Sequence, residues 1–243
     1  MIPKIIHYIW LGPNDKPKSF DSVLEGWKTH GKGFEIREWN EKDAEEFDLP
    51  DYYHRAIADK KWAFASDVLR VHILYRYGGF YFDTDQVLIR DIPESFLQYA
   101  FFTAYFHEVT TYFGFQYVGT AMGSSIMQKI IQFYAAFETQ KDKPMEYIII
   151  NKILSDLLNA EIAADADFYA KNNIHIFPQE YFYPLNPEDF NDDTYSYHLG
   201  NSSWIPWYKK ALYKIPFYLQ IKAIILKTLP KKLKEKIKNN ITY

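Results

Sequence analysis

The tripeptide Asp83-Thr84-Asp85 has the clearest capacity for chemistry in this sequence, and it follows an aromatic run at 80–82 that favours a strand. Side chains two positions apart in an extended chain point to the same side, so the two carboxylates converge and repel each other unless a cation joins them. Mg²⁺ or Mn²⁺ suits such a pair, because these ions commonly complete their coordination with substrate phosphate and water. A solvated turn is the simpler interpretation of an isolated Asp-x-Asp, so the surrounding residues must decide.

Asp67 and Arg70 lie three positions apart within 62–77, a segment with helical spacing that is apolar nearly all round. On a surface helix such an ion pair is worth only a few tenths of a kcal/mol. A helix without a polar face is buried, however, and has little surface for two charges. If this helix packs beside the strand before Asp83, both side chains face the same cavity, where Arg70 can hold a sugar hydroxyl or a phosphate and Asp67 a sugar hydroxyl.

A third polar group lies at 198–204, where an imidazole, an amide, two hydroxyls and an indole N–H occur within seven residues. His198 can supply a further metal ligand, and Ser203 and Trp204 can donate to a phosphate oxygen. A Gly-Asn-Ser turn beside a buried tryptophan is the alternative interpretation.

The elements that must position these residues indicate an α/β fold. A strand at 4–11, a helix at 20–30 and a strand at 34–39 form a β-α-β opening. The helix 62–77 ends at Gly78-Gly79, where one glycine can take the left-handed conformation. Further strands are predicted at 80–82, 86–89, 101–106, 115–119, 175–177 and 195–198, and further helices at 124–137 and 147–158.

The composition limits the class of protein. The chain has 243 residues, of which 48% are hydrophobic, 24% charged and 19% aromatic, as in a folded globular protein. The absence of cysteine excludes disulfides, thiol nucleophiles and cysteine-ligated zinc or iron–sulfur centres. No stretch reaches the roughly 18 uninterrupted apolar residues of a spanning helix, and the N-terminal run is too short and polar for a signal peptide. We therefore expect a cytoplasmic protein.

The charge is concentrated at the C-terminus. Residues 205–243 contain ten lysines and a single acid, Glu235, a net charge of +9, so residues 1–204 carry −12 when the whole chain carries −3. After Pro230, apolar residues recur every four positions and lysines line another face, as in an amphipathic helix. We predict a domain at 1–204 and a lysine-rich segment at 205–243 that binds an anionic membrane surface. A helix packed on its own domain is the alternative, and the acidic body argues against nucleic acid as a partner.

The runs 2–12, 65–70, 74–85 and 198–204 together resemble the DXD-containing sugar glycosyltransferases of family thirty-two. That family includes bacterial capsular and lipooligosaccharide sugar transferases and is distantly similar to the large clostridial glucosylating toxins. The resemblance implies a GT-A type fold, which is a nucleotide-binding α/β sheet with helices on both sides.

The resemblance also implies roles for residues that bind the donor. Trp10 matches the residue whose indole stacks on the nucleotide base, and Tyr81 matches a tyrosine near the nucleotide. Asp67 and Arg70 match the pair that binds the hydroxyls of the donor sugar. Together with Asp83 and Asp85, they are the residues we expect to be catalytic.

The remaining matches concern the metal and the diphosphate. Asp83 corresponds to a carboxylate that contacts the ribose and a metal-bound water, and Asp85 to the direct metal ligand. His198 falls where the third protein ligand lies. Ser203 and Trp204 match residues that reach the metal–diphosphate group.

The activity that the resemblance implies is a retaining, Mn²⁺- or Mg²⁺-dependent transfer of a hexose. We expect the donor to be a nucleotide-diphosphate sugar, with a UDP-sugar favoured. The expected acceptor is a hydroxyl of a surface glycan of the capsule or lipooligosaccharide type, lipid-linked in view of the basic segment. The enzyme would then work as a peripheral protein on the cytoplasmic face of the membrane.

Two other functions fit parts of the sequence. A haloacid-dehalogenase-type phosphatase has a strand followed by Asp-x-Asp, and Asp192-Asp193 would be its later acidic pair, but its motif normally follows the first strand. A non-catalytic adaptor that binds a sugar nucleotide or a membrane would use the basic segment. It is disfavoured because the acids, the Asp/Arg pair and the histidine group occur together.

Overall fold

The computed structural model describes residues 1–107, 111–137, 148–184 and 189–199. The strands are β1 (Ile5–Ile9), β2 (Glu35–Trp39), β3 (Gly79–Phe82), β4 (Gln86–Leu88), β5 (Phe101–His107), β6 (Thr111–Phe113), β7 (Tyr117–Thr120), β8 (Ile174–Phe177) and β9 (Ser196–His198). The helices are α1 (Ser19–His30), α2 (Glu41–Ala44), α3 (Asp51–Ala58), α4 (Trp62–Tyr77), α5 (Ser125–Ala136), α6 (Ile150–Ala164) and α7 (Phe168–Lys171). Short 3₁₀ helices occupy Glu94–Gln98 and Gln179–Tyr181.

The main sheet is mixed and has the strand order β2-β1-β3-β7-β5-β6, with β8 paired to β5. Strand β1 runs parallel to both β2 and β3, whereas β7 runs antiparallel to β3. Strands β4 and β9 form a separate two-stranded antiparallel ribbon. The carboxyl ends of β1 and β3 and the amino end of β7 therefore meet at one edge of the sheet, directly before Asp83.

The central strands β3 and β7 contain only buried residues, because helices cover both faces of the sheet there. Phe80 and Phe82 of β3 pack in the same cluster as Trp27 of α1. Tyr81, which points to the opposite face, packs with the residues of α3, α4 and α5. The α/β architecture with flanking helices that the sequence predicts is thus confirmed, and α4 lies on the face to which Tyr81 points.

Helix α4 occupies the predicted 62–77 and is buried over most of its length. It ends at Gly78 with φ +61°, and Gly79 follows with φ +94°. A Cβ on Gly79 would lie 2.7 Å from the carbonyl oxygen of Ile5, so the chain can enter β3 at this point only with glycine. The two glycines thus reverse the chain between the helix that carries Asp67 and the strand that precedes Asp83.

Some boundaries differ from the prediction. Helix α6 ends at Ala164, beyond the predicted 158, and the sequence pattern missed the helices α2, α3 and α7 and the strand β6. All of these elements are short, and α2 is set by a capping box between Asn40 and Asp43 rather than by an apolar period. Ser203, Trp204, the boundary at 204 and the basic segment lie outside the described residues. None of the described helices is long and apolar enough to cross a membrane.

Candidate functional site

Asp83, Asp85 and His198 meet where β3 ends and the ribbon begins. The N–H of Gln86 donates to the carbonyl of Asp83 at 2.9 Å, which closes a tight turn over the three-residue motif. Pairing of β4 with β9 places His198 opposite Gln86. As a result, Nε2 of His198 lies 2.9 Å from Oδ1 of Asp85 and 3.8 Å from Oδ2 of Asp83.

The two carboxylates change the protonation of His198. Burial disfavours the imidazolium, but hydrogen bonds and charges from Asp83 and Asp85 raise the pKa of His198 to about 10. The pKa of Asp83 is held below its usual value even though burial works in the opposite direction, because Arg70 and His198 both favour its anion. Without a metal, the proton on His198 therefore neutralises part of the negative charge of this group.

The same three side chains fit a divalent cation. One ligand atom from each lies within 4.8 Å of the other two, and all three residues are half-buried. Adjacent ligands on an octahedral ion with bonds of about 2.1 Å are about 3 Å apart, close to the separation of Asp85 and His198. Two carboxylates and one imidazole form a donor set for a divalent cation. Among the described residues this is the one group of three potential ligands.

Arg70 connects this group to Asp67. Its Nη2 lies 3.0 Å from Oδ1 of Asp67, and its Nη1 lies 3.2 Å from Oδ1 of Asp83. Its Nε and Nη2 also donate to the carbonyl and hydroxyl of Ser66, at 3.3 and 3.1 Å. Only 7% of the Arg70 side chain is exposed, so these contacts hold a buried guanidinium in one orientation.

Tyr81 lies beneath Arg70, with the guanidinium carbon 4.3 Å from the ring centroid. Such a buried cation–π contact stabilises the guanidinium. Burial raises the pKa of Tyr81 well above its ordinary value. Tyr81 therefore stays neutral and also hydrogen-bonds to the Asp83 carboxylate.

Asp67 is the least solvated acid of the site. Burial raises the pKa of its carboxyl to about 6, an effect that the nearby Arg70 partly offsets and Asp83 reinforces. The N–H of Ile150, the first residue of α6, donates to Oδ2 of Asp67 at 3.3 Å. Helix α6 therefore begins at this carboxylate, which is a favourable location for a negative charge.

Trp10 follows the last residue of β1, at the same edge of the sheet as Asp83. Its side chain is half-buried, and its Nε1 donates to the carbonyl of Asn14 at 2.7 Å. This bond fixes the indole within the turn after β1. The role of Trp10 in stacking on a base stays a prediction.

Three partners of these residues were not predicted from the sequence. Ser66 holds Arg70, and its position directly before Asp67 is a signal that could have identified it. The carbonyl of Gln116 accepts from the N–H of Asp83 at 3.0 Å, and Ile150 binds Asp67 as described. The last two contacts use main-chain atoms, which leave no trace in residue type.

Other candidate residues lie apart from this group. His7 is buried between Trp39 and Gly78, so it is a packed histidine. Asp192 is fully exposed beside Arg90, and neither Asp192 nor Asp193 belongs to the metal-binding group. The second acidic pair that a phosphatase of the haloacid-dehalogenase type would need is therefore not next to Asp83.

Comparisons with known proteins find glycosyltransferases. Residues 17–102, which include Asp67, Arg70, Asp83 and Asp85, match the family described as "Glycosyltransferase sugar-binding region containing DXD motif". An uncharacterized glycosyltransferase of Acanthamoeba polyphaga mimivirus is 27% identical over 223 residues, which cover 86% of each chain. The solved structure "PaToxG Glycosyltransferase" aligns with a TM-score of 0.53 and 18% identity over 70% of this chain and 74% of that chain, so the two share a fold.

Proposed function

We propose that this glycosyltransferase is a retaining enzyme that moves a hexose from a nucleotide-diphosphate sugar, with a UDP-sugar favoured, to a hydroxyl of a surface glycan. The observation that carries the proposal is the meeting of Asp83, Asp85 and His198 beside the Asp67–Arg70 pair. One group suits a cation that binds a diphosphate, and the other offers polar groups to a sugar. The two groups adjoin, because Asp83 of the first group also pairs with Arg70 of the second.

The site has to stabilise a leaving nucleoside diphosphate. Asp83, Asp85 and His198 would hold Mn²⁺ or Mg²⁺, and that ion, when bound, stabilises the negative charge that develops on the diphosphate. In the sequence, Ser203 and Trp204 follow His198 closely enough to donate to the same group.

The residues on the sugar side orient the donor. Arg70 is fixed by Ser66, Asp67 and Asp83, so it keeps both carboxylates in place without rearrangement when the donor binds. Asp67 accepts hydrogen bonds from sugar hydroxyls, and the partial positive charge at the start of α6 favours its anion. Retention then proceeds by attack of the acceptor hydroxyl on the face that the diphosphate leaves, with the leaving phosphate accepting the proton.

Donor hydrolysis tests this function. We expect Mn²⁺-dependent hydrolysis of a UDP-sugar in the absence of acceptor and its loss in Asp85→Asn. Asp192→Asn, which removes an exposed acid outside the group, is the matched control and should keep wild-type turnover. Full turnover of Asp85→Asn in EDTA would overturn the assignment. A panel of nucleotide sugars, compared by the rise in Tm with Mn²⁺ present, identifies the donor.

The lysine-rich segment at 205–243 supports a second part of the proposal, which is peripheral binding to an anionic membrane on the cytoplasmic side. Each lysine near such a surface contributes about 1 kcal/mol. A lipid-linked glycan acceptor would be present at the same surface. Deletion of 205–243 should abolish co-sedimentation with phosphatidylserine vesicles at low salt and leave donor hydrolysis unchanged. Equal binding of the deleted and full chains would refute the membrane contact.

A further inference from the structure

Gln86 is a fully buried polar residue directly after Asp85. Its side-chain Nε2 donates to the carbonyl of Phe182 at 2.9 Å and to Oγ of Ser196 at 2.7 Å. Its main-chain carbonyl accepts from Nε1 of Trp27 at 2.7 Å. Three parts of the chain that are distant in sequence therefore bind this one residue.

The position of Gln86 couples it to two of the potential metal ligands. It is the neighbour of Asp85 in the chain, and it is the residue opposite His198 in the pairing of β4 with β9. A ribbon of only two short strands is marginally stable by itself. The contacts that attach the ribbon to the body of the protein must therefore decide how Asp85 and His198 face each other.

Phe182, whose carbonyl accepts a hydrogen bond from Gln86, is itself held to β7, the strand that pairs with β3 directly before Asp83. The ring of Phe182 stacks on that of Tyr117 with 4.0 Å between centroids. The hydroxyl of Tyr183 accepts from the N–H of Tyr117 at 2.8 Å. Tyr117 pairs with Phe82, the residue before Asp83. Gln86 thus joins the ribbon, which begins directly after Asp85 and ends at His198, to the layer that carries Asp83.

The amide of Gln86 is poorly explained by stability alone. Its Oε1 is buried with no hydrogen-bond partner among the described residues, and such an atom lowers stability. Oγ of Ser196 also lies 3.4 Å from the carbonyl of Phe182, so these two atoms can pair without the amide. An apolar side chain of similar volume would fill the same space without an unpaired oxygen.

We propose that Gln86 is a positioning residue for cation binding: its two hydrogen bonds fix the ribbon so that Asp85 and His198 meet Asp83 at metal-binding distance. This inference rests on the proposed function, because it assumes that the three residues bind a metal. Gln86 itself does not touch the ion and acts through its neighbour and its partner in the ribbon.

The test is a titration of the full chain with Mn²⁺ alone, followed by electron paramagnetic resonance of the free ion. We expect the Kd for Mn²⁺ to rise at least tenfold in Gln86→Leu and to rise less in Ser196→Ala, which removes one of the two acceptors. The effects of the two changes should be less than additive in the double variant, since they act on one contact network. Thr120→Val is the matched control, because Thr120 is equally buried and donates to main-chain carbonyls at the opposite edge of the sheet.

The melting temperature without metal separates positioning from general destabilisation. Gln86→Leu should melt within a few degrees of Thr120→Val while binding Mn²⁺ far more weakly. An unchanged Kd in Gln86→Leu, or an equal rise in Thr120→Val, overturns this inference and leaves the metal site intact. Absence of Mn²⁺ binding by the wild-type chain overturns the metal site and this inference with it.

Discussion

Nε2 of His198 lies 2.9 Å from a carboxylate oxygen of Asp85, although Asp85 directly precedes β4 and His198 is the last residue of β9. The contact places a basic nitrogen where a cation would share the same carboxylate. A proton and a metal ion therefore compete for one location. This competition makes the charge state of His198 an indicator of metal binding.

Metal binding should release a proton. The two carboxylates raise the pKa of His198 to about 10, so at pH 7.5 the metal-free site holds an imidazolium that must lose its proton to become a ligand. We expect release of about one proton per Mn²⁺ at pH 7.5, measured by calorimetry in buffers of different ionisation enthalpy. The affinity should rise with pH up to the pKa of His198. His198→Ala should bind Mn²⁺ more weakly and release no proton, and proton release by this variant would contradict the assignment.

Removal of Arg70 should destabilise the fold. Arg70→Met leaves Asp67 and Asp83 without their shared cation, and breaking a buried ion pair in this way costs about 3–5 kcal/mol. The pKa of Asp67, already about 6, rises further in the variant. Protonation of Asp67 should therefore make the loss in free energy of unfolding smaller as the pH falls from 7 to 5. The measurement is urea unfolding at the two pH values.

Arg76→Met is the control for this change. Arg76 lies on the same helix but is half-exposed, and its Nη1 lies 3.7 Å from Oε2 of Glu46. A surface pair of this kind contributes about 0–1 kcal/mol. Equal losses in free energy of unfolding in the two variants would show that the buried pairs of Arg70 stabilise the fold no more than a surface pair does.

His7 should make the fold sensitive to acid. Burial lowers the pKa of His7 to about 4, below its value of 6.5 in the unfolded chain, so the unfolded state binds the proton more readily. The stability that the neutral ring contributes is complete above pH 6.5 and is lost as the pH falls towards 4, by about 3 kcal/mol. His7→Gln can still donate to Gly78 but does not titrate. Its free energy of unfolding should therefore fall less between pH 6.5 and 4 than that of the wild type, and equal slopes would refute this origin.

Gly79→Ala should lower stability by more than the cost of placing alanine at a positive φ. Both Gly79 and Gly33 have positive φ, at +94° and +81°, and this backbone conformation costs about 1–2 kcal/mol for alanine. A Cβ on Gly79 would also meet the carbonyl of Ile5 at 2.7 Å, whereas one on Gly33 meets nothing within 4 Å. Thermal unfolding of the two variants isolates the effect of this close approach. Equal values of Tm would show that β3 can shift to make room.

Local sequence patterns determined most of the elements that carry the site. Helix α4 and strand β3 lie where their apolar spacing and the Gly78-Gly79 pair predicted them, because each pattern depends only on neighbouring residues. Asp83 and Asp85 do converge, but a turn closed by the N–H of Gln86 on the carbonyl of Asp83 brings them together, and not the extended chain that the spacing predicted. The fold class followed from the β-α-β opening, whereas the short helix α2 depended on a cap without an apolar period.

The tertiary structure alone decided how these pieces combine. The register of β4 against β9 brings His198 to Asp85, and the packing of α4 on β3 brings Arg70, which already pairs with Asp67 on the same helix, to Asp83. The contacts from Gln116 and Ile150 use main-chain groups that every residue except proline possesses in full, so the residue types do not indicate these contacts. Composition and spacing fix which residues can do chemistry, whereas the meeting of residues distant in the chain depends on pairing and packing that no local pattern contains.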